Sequence, residues 1–216
     1  MNFFLQSRAD VDSATKFLED NGYITSGLSC KNWEFFHVAP YLKDGALLDM
    51  GSSGSIVLDN AVKKKIVGEK VGVDLEYPPN VSSPEGMKLM RGDLMETGLP
   101  DESFDIVTSL SVLEHDVDFE KFAKEASRLL KKMGSLFVSF DYAPEKIDTS
   151  LTRLYSLRWN VLSKEDVIEF VRVCGEHGLE LSGEIDWKTN EMVINPSYCS
   201  PANCEYTFGI LHFIKI

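Results

Sequence analysis

The feature that most constrains this chain is an alternation of short apolar runs with a helical stripe between Ala46 and Phe140. Ala46-Leu47-Leu48-Asp49-Met50 closes on Gly51. Val71-Gly72-Val73-Asp74, Met87-Lys88-Leu89-Met90, Phe104-Asp105-Ile106-Val107 and Ser135-Leu136-Phe137-Val138-Ser139-Phe140 follow. Runs this short, closed by turn residues, read as buried strands. Between the last two, Phe119, Phe122, Ala126, Leu129 and Leu130 recur at helical spacing, with Asp118 placed to cap the start and Gly134 after a lysine-rich end. Such alternation predicts an α/β fold, a mostly parallel sheet with helices on both faces.

The flanks are less regular. Val11, Ala14, Phe17 and Leu18 predict a helix with Asp10 or Asp12 as N-cap and Gly22 at its end. Phe35, Phe36, Ala39 and Leu42 predict a second, ended or kinked by Pro40. Ser163-Lys164-Glu165-Asp166 opens a later helix with Val167, Ile168, Val171 and Cys174 as its core stripe and Gly178 near its end. Leu179–Ile185 and Tyr206–Ile216 read as a hairpin-like pair of strands on the sheet edge, joined by a long Trp187–Glu205 connection. Connections of that length are more often functional than short ones. With no repeat or flexible linker, the 216 residues are expected to form one domain.

Charge narrows the partners. Lys and Arg number 22 against 34 Asp and Glu, a net charge of −12. Such a surface repels phosphate backbones and anionic lipid, so neither nucleic acid nor a membrane is the expected partner. Lys63-Lys64-Lys65, the compact basic run, complements a helix C-terminus. No apolar stretch approaches the roughly 18 residues of a spanning helix, and the first residues lack the basic start of a signal peptide. Cys30, Cys174, Cys199 and Cys204 are scattered, and Cys199 and Cys204 lack the second pair or nearby His of a zinc site. The expectation is a cytoplasmic protein with reduced thiols and no metal.

Open α/β sheets present ligands at the carboxyl ends of their strands. There the chain places Asp49-Met50-Gly51-Ser52-Ser53-Gly54-Ser55, then Asp74-Leu75-Glu76, Gly92-Asp93-Leu94 and Ser109-Leu110-Ser111-Val112-Leu113-Glu114-His115. Three acids at neighbouring strand ends disfavour a pyrophosphate and favour a ligand rich in hydroxyls, amines or positive charge. Asp74 is placed to accept both hydroxyls of a ribose. Asp93 suits the exocyclic amine of a purine, and Asp49 an ammonium. Ribose, adenine amine, ammonium and a sulfonium together describe S-adenosylmethionine.

At these residues the sequence resembles the class I, S-adenosylmethionine-dependent methyltransferases. Leu47-Leu48-Asp49-Met50-Gly51 looks like the family's first motif and Gly72-Val73-Asp74 like its ribose-binding strand. Gly92-Asp93-Leu94 with Leu99–Val107 resembles the adenine segment and fourth strand, and Val112-Leu113-Glu114-His115 the stretch beyond. The resemblance implies a Rossmann-like three-layer sandwich, with a seven-stranded, mostly parallel sheet and an antiparallel last strand. It implies cofactor contacts at Asp49, Gly51, Ser52, Ser53, Gly54, Asp74, Leu75, Asp93, Leu94, Ser109 and Leu110. The domain then divides into an N-terminal helical cap (1–44), a cofactor-binding half (45–141) and a substrate-side half with the terminal strands (142–216). Ser53 and Ser55 stand where the family usually has Gly.

His115 is the catalytic candidate, since imidazole titrates near working pH and can take a proton from an acceptor hydroxyl or amine. The competing reading is a solvated turn at Glu114-His115-Asp116. His37, His177 and His212 read as structural. Tyr142-x-x-x-Lys146 matches a dehydrogenase spacing, but Pro144 disfavours the helix that chemistry needs. Arg153, Tyr155, Arg158 and Trp159 either line an acceptor pocket or form a surface helix with a half-buried Trp. The expected activity is methyl transfer to O or N of a small-molecule acceptor. The alternatives are an NAD(P)-dependent oxidoreductase, which needs a Gly-x-Gly-x-x-Gly turn, and a non-catalytic S-adenosylmethionine-binding module.

Overall fold

Strands whose side chains are apolar on both faces must be covered on both faces, and the fold meets that demand. A computed structural model describes residues 2–216. In chain order the elements are β1 (Phe3–Phe4), α1 (Arg8–Asp20), α2 (Cys30–Val38), β2 (Leu47–Met50), α3 (Ile56–Lys63), β3 (Lys70–Asp74), β4 (Lys88–Arg91) and β5 (Phe104–Ser109). Then come α4 (Phe119–Leu129), β6 (Leu130–Tyr142), β7 (Arg153–Leu154), β8 (Leu157–Arg158), α5 (Lys164–Glu176), β9 (Leu179–Leu181) and β10 (Thr207–Lys215). The main sheet runs β4-β3-β2-β5-β6-β10, with β9 and the two-residue β1 sharing the outer edge of β10. β2 to β6 are parallel and β10 is antiparallel to β6. This is the Rossmann-like architecture expected, with β1 added to the seven strands.

Successive strand residues point to opposite faces, and the two cores follow. Leu48, Met50, Leu136 and Val138 pack with Phe122, Ala126 and Leu129 of α4 and Phe170 of α5. Leu47, Ile106 and Phe137 pack with Leu18 of α1, Phe35 and Val38 of α2, and Leu58 of α3. Among the described residues no helix is long and apolar enough to cross a membrane.

Several local expectations are corrected. The N-cap of α1 is Ser7, whose hydroxyl accepts from the Asp10 N–H, so the helix begins before either aspartate. Pro40 does end α2, in a short 3-10 turn over Ala39–Tyr41. Gly134 does not close α4. Buried Leu130 pairs with Phe104 and starts β6 at once, and the sheet register then shifts by a bulge before Ser135 meets Ile106. In α5 the buried stripe is Val167, Phe170, Val173 and Cys174, while Ile168 is half exposed. The helix turns to bury its largest side chain, Phe170, against Phe119 and Phe213. β9 stops at Leu181, because Gly183 bends the chain at φ +90°. β10 is one place in from the edge, which β9 and β1 form.

Arg153–Arg158 is a tight hairpin rather than a helix, with Tyr155 and Ser156 both at positive φ as a two-residue turn of the primed type requires. Trp159 is fully buried, not half-buried.

Candidate active site

The first turn decides how closely a ligand can approach the sheet. Its two left-handed positions fall on Gly51 (φ +82°) and Gly54 (φ +72°), and neither Ser53 nor Ser55 takes positive φ. The serines that depart from the family pattern therefore carry no backbone strain. Ser55 is the N-cap of α3, its hydroxyl accepting from the Leu58 N–H at 3.0 Å. Gly51 has a second reason to be glycine: a Cβ there would sit 2.4 Å from Val112 Cγ2.

The carboxyl ends of β2 to β5 open on one cleft of about 990 Å³, and Gly51, Ser53, Asp74, Leu75, Asp93, Leu94, Leu110 and His115 lie on its wall. The other nominated residues lie off it. Asp49 is buried under the turn, its carboxylate accepting from the Thr108 hydroxyl at 2.5 Å and bonded by the Ser55 side chain. Burial pushes it up to about 6. Buried Ser52 accepts at its carbonyl from the Tyr77 hydroxyl, 2.7 Å away. Ser109 is buried and donates its hydroxyl to the Met50 carbonyl at 2.9 Å. Gly54 is exposed. On the wall, Asp74 accepts from the N–H groups of Ser53 and Glu76, and Asp93 from that of Met95 at 2.8 Å. A carboxylate offers about four lone-pair sites, so each acid retains acceptor capacity toward a ligand.

His115 sits in a loop bracketed by two non-glycine residues in the left-handed region, Ser111 (φ +53°) and Asp116 (φ +56°). Backbone strain of this kind concentrates at functional sites. The β7–β8 hairpin lies against it: Tyr155 meets the His115 ring edge-on at 5.4 Å, and His115 bridges Trp159 through the backbone. Burial, then the nearby Lys31 charge, pulls His115 down to about 4, so the ring is neutral at pH 7. His115 Nδ1 is buried without a hydrogen-bond partner.

Sequence reasoning missed the polar groups beside it. Lys31 and Asp141 also line the cleft, and Glu34 pairs with Lys31 at 3.2 Å. Burial works against the Lys31 charge, but Glu34, Asp141 and Glu114 hold it cationic above the usual lysine range. Asp141 was legible, since it lies near the carboxyl end of β6 and the strand-end rule extended to that strand finds it. Glu34 was not, because nothing in Cys30–Val38 marks one acidic position of a helix as buried. Half-buried His37 and buried His212 pack among aromatic rings, and His177 pairs with Glu120, away from the cleft.

Residues 48–138 match the family model described as a methyltransferase domain. Over 150 residues the chain is 28% identical to the ubiquinone biosynthesis O-methyltransferase of Pelagibacter ubique, an alignment covering 61% of this chain and 57% of that protein. The chain thus spans little more than half of that relative's length. The fold is similar to that of the YcgJ protein from Bacillus subtilis, with a TM-score of 0.62 at 18% identity over 84% of this chain and 97% of the other. It is also similar to the Burkholderia thailandensis 1,6-didemethyltoxoflavin-N1-methyltransferase, solved with 1,6-didemethyltoxoflavin and S-adenosylhomocysteine, with a TM-score of 0.57 at 15% identity over 96% of this chain and 78% of the other. The matched segment, residues 48–138, holds the glycine turn and the strand-end acids Asp49, Asp74 and Asp93, and over it the resemblance to the class I, S-adenosylmethionine-dependent methyltransferases is borne out.

Proposed function

We propose that the protein transfers a methyl group from S-adenosylmethionine to an oxygen or nitrogen of a small-molecule acceptor in the cytoplasm. The observation that carries this reading is that the Gly51 turn, Asp74, Asp93 and His115 open on one cleft. The donor set fits the group: Asp74 keeps lone pairs for ribose hydroxyls and Asp93 for an exocyclic amine, with Leu75, Leu94 and Leu110 as apolar wall. Asp49, Ser52, Gly54 and Ser109 shape the turn from which the ammonium and carboxylate end would be held. Bound S-adenosylmethionine supplies a methyl carbon activated by positive sulfur.

The protein's share is alignment and exclusion of water. Leu28 and Lys31 from the 1–44 cap, Leu154 and Tyr155 from the hairpin, and Cys199 and Pro201 from the long connection all line the cleft. These three segments form the lid and the acceptor side. His115, neutral and with a free ring nitrogen, accepts a hydrogen bond from the acceptor's reacting group. Titration with S-adenosylhomocysteine tests the reading: at 100-fold over its dissociation constant it should stabilise by about 2.7 kcal/mol. Stabilisation by NADH alone would replace it with the oxidoreductase reading.

A further inference from the structure

We propose that the part of the cleft beside His115 is an acceptor subsite for an organic amine, in which Glu114 and Asp141 hold the ammonium group and take up the proton it releases. The inference rests on the methyltransferase reading above and names the acceptor class for it.

Three buried carboxyl groups here share one half-buried cation, Lys31. Glu34 is closed: its Oε2 faces Lys31 Nζ at 3.2 Å, and its Oε1 accepts from the hydroxyls of Ser111 and Ser139. Lys31 also donates to the Ser111 hydroxyl, so its charge is matched. Asp141 accepts from Trp159 Nε1 at 2.7 Å and from the Tyr206 hydroxyl, both neutral donors. Glu114, only 1% exposed, has its Oε1 3.9 Å from His115 Nε2 and its Oε2 buried without any hydrogen-bond partner. Glu114 and Asp141 both line the cleft. Lys31 pairs directly with Glu34 and reaches Asp141 and Glu114 only through its field, and His115 is neutral, so these two buried carboxyls have no ion-pair partner of their own.

Unpaired buried charge is costly, and proteins relieve it with a counter-ion or a proton. Burial pushes Asp141 up to about 7, and burial together with Asp141 pushes Glu114 well above the usual carboxylate range. A ligand ammonium supplies both the missing charge and donors for Glu114 Oε2. An alcohol satisfies that oxygen but brings no charge, and a carboxylate adds a fourth acid. The remaining walls include the aromatic residues Tyr155, Trp159 and Tyr206, whose rings favour an organic cation over an anion, while Phe208 already lies under Lys31 Nζ at 4.7 Å. Among the described residues no group of carboxyl, His or Cys side chains is arranged to hold a metal ion, which leaves the organic cation as the occupant argued.

The chemistry closes without a further reactant. An ammonium has no lone pair, so one carboxylate first takes its proton while the other keeps its charge. The nitrogen lone pair then forms the N–CH3 bond as the methyl–sulfur bond breaks, its electron pair staying on sulfur. The N-methylammonium product faces the carboxylate that remained ionised.

The test uses the full chain saturated with S-adenosylhomocysteine. Benzylamine, N-methylbenzylamine, phenethylamine and cyclohexylamine are compared with the alcohol and the carboxylate of each skeleton, by thermal shift and calorimetry. Amines should be the class that binds. Glu114→Gln and Asp141→Asn should each weaken them at least about tenfold while leaving the S-adenosylhomocysteine response unchanged. Alcohols or carboxylates binding as well as their matched amines, no amine binding at all, or amine affinity unchanged in both variants would each overturn the proposal. Where Asp141→Asn fails to fold for loss of its Trp159 and Tyr206 bonds, Glu114→Gln decides, since Glu114 Oε2 has no bond to lose. Failure of the protein to respond to S-adenosylhomocysteine strikes the underlying reading instead.

Discussion

The backbone N–H of Ser53 donates to the Asp74 carboxylate at 2.9 Å, tying the first glycine turn to the end of the neighbouring strand. One side chain thus shapes the turn and lines the cleft. Replacing Asp74 with Ala removes both, and hydrogen bonds to a charged group are worth about 1.5–3 kcal/mol each. S-adenosylhomocysteine affinity should fall roughly a hundredfold, with Asp74→Asn intermediate. An undiminished thermal shift in the Ala variant removes Asp74 from the cofactor set.

Gly51 is constrained twice, by φ +82° and by the 2.4 Å approach its Cβ would make to Val112 Cγ2. Left-handed backbone costs a non-glycine residue about 1–2 kcal/mol and overpacking about 1–3. Gly51→Ala should therefore lower stability by about 2–4 kcal/mol in urea titration. Val112→Ala in the same chain should recover the packing share but not the backbone share. Full recovery would show that the backbone conformation carries no cost.

The parallel half of the fold was legible because its strands are buried on both faces. Leu47–Met50 is buried at every position, and its run is apolar except for Asp49, whose carboxylate accepts from the Thr108 hydroxyl of the neighbouring strand. The Gly51, Asp74 and Asp93 placements followed from chain connectivity alone. The 142–206 region was not legible because short, isolated pairings hold it. Ile194 with Tyr206, and Asn195 with Tyr198 and Cys199, are single bridges without periodicity. The proposed acceptor side draws on that region, on α2 and on the end of β6, through pairs such as Lys31–Glu34 and Asp141–Trp159 that local sequence cannot reveal.

Asp49 should show the cost of a buried acid. Its carboxyl titrates at about 6 in the folded chain against an ordinary 3.8, a shift caused first by burial. A raised acid favours the folded state when protonated, so its contribution is fully present below 3.8 and is lost as pH rises through about 6. Asp49→Asn should therefore gain stability relative to the wild type above pH 6, by about 1–3 kcal/mol, with the gain vanishing below pH 4. A gain independent of pH would assign it to packing instead.

His115 should act as a neutral hydrogen-bonding group rather than as a store for the proton. Burial and the Lys31 charge hold it at about 4, so an inflection of the methyl-transfer pH profile near 7 belongs to Asp141, which burial pushes up to about 7, and should persist in His115→Ala. His115→Ala should lower kcat/KM about tenfold, less than the hundredfold or more expected for loss of a general base. S-adenosylhomocysteine affinity should be unchanged. Lys31→Met removes the second cause of the depression, and the His115 ring proton signals should then titrate at higher pH. A titration unmoved by Lys31→Met would leave burial as the sole cause, and loss of the rate inflection in His115→Ala but not in Asp141→Asn would restore His115 as the base.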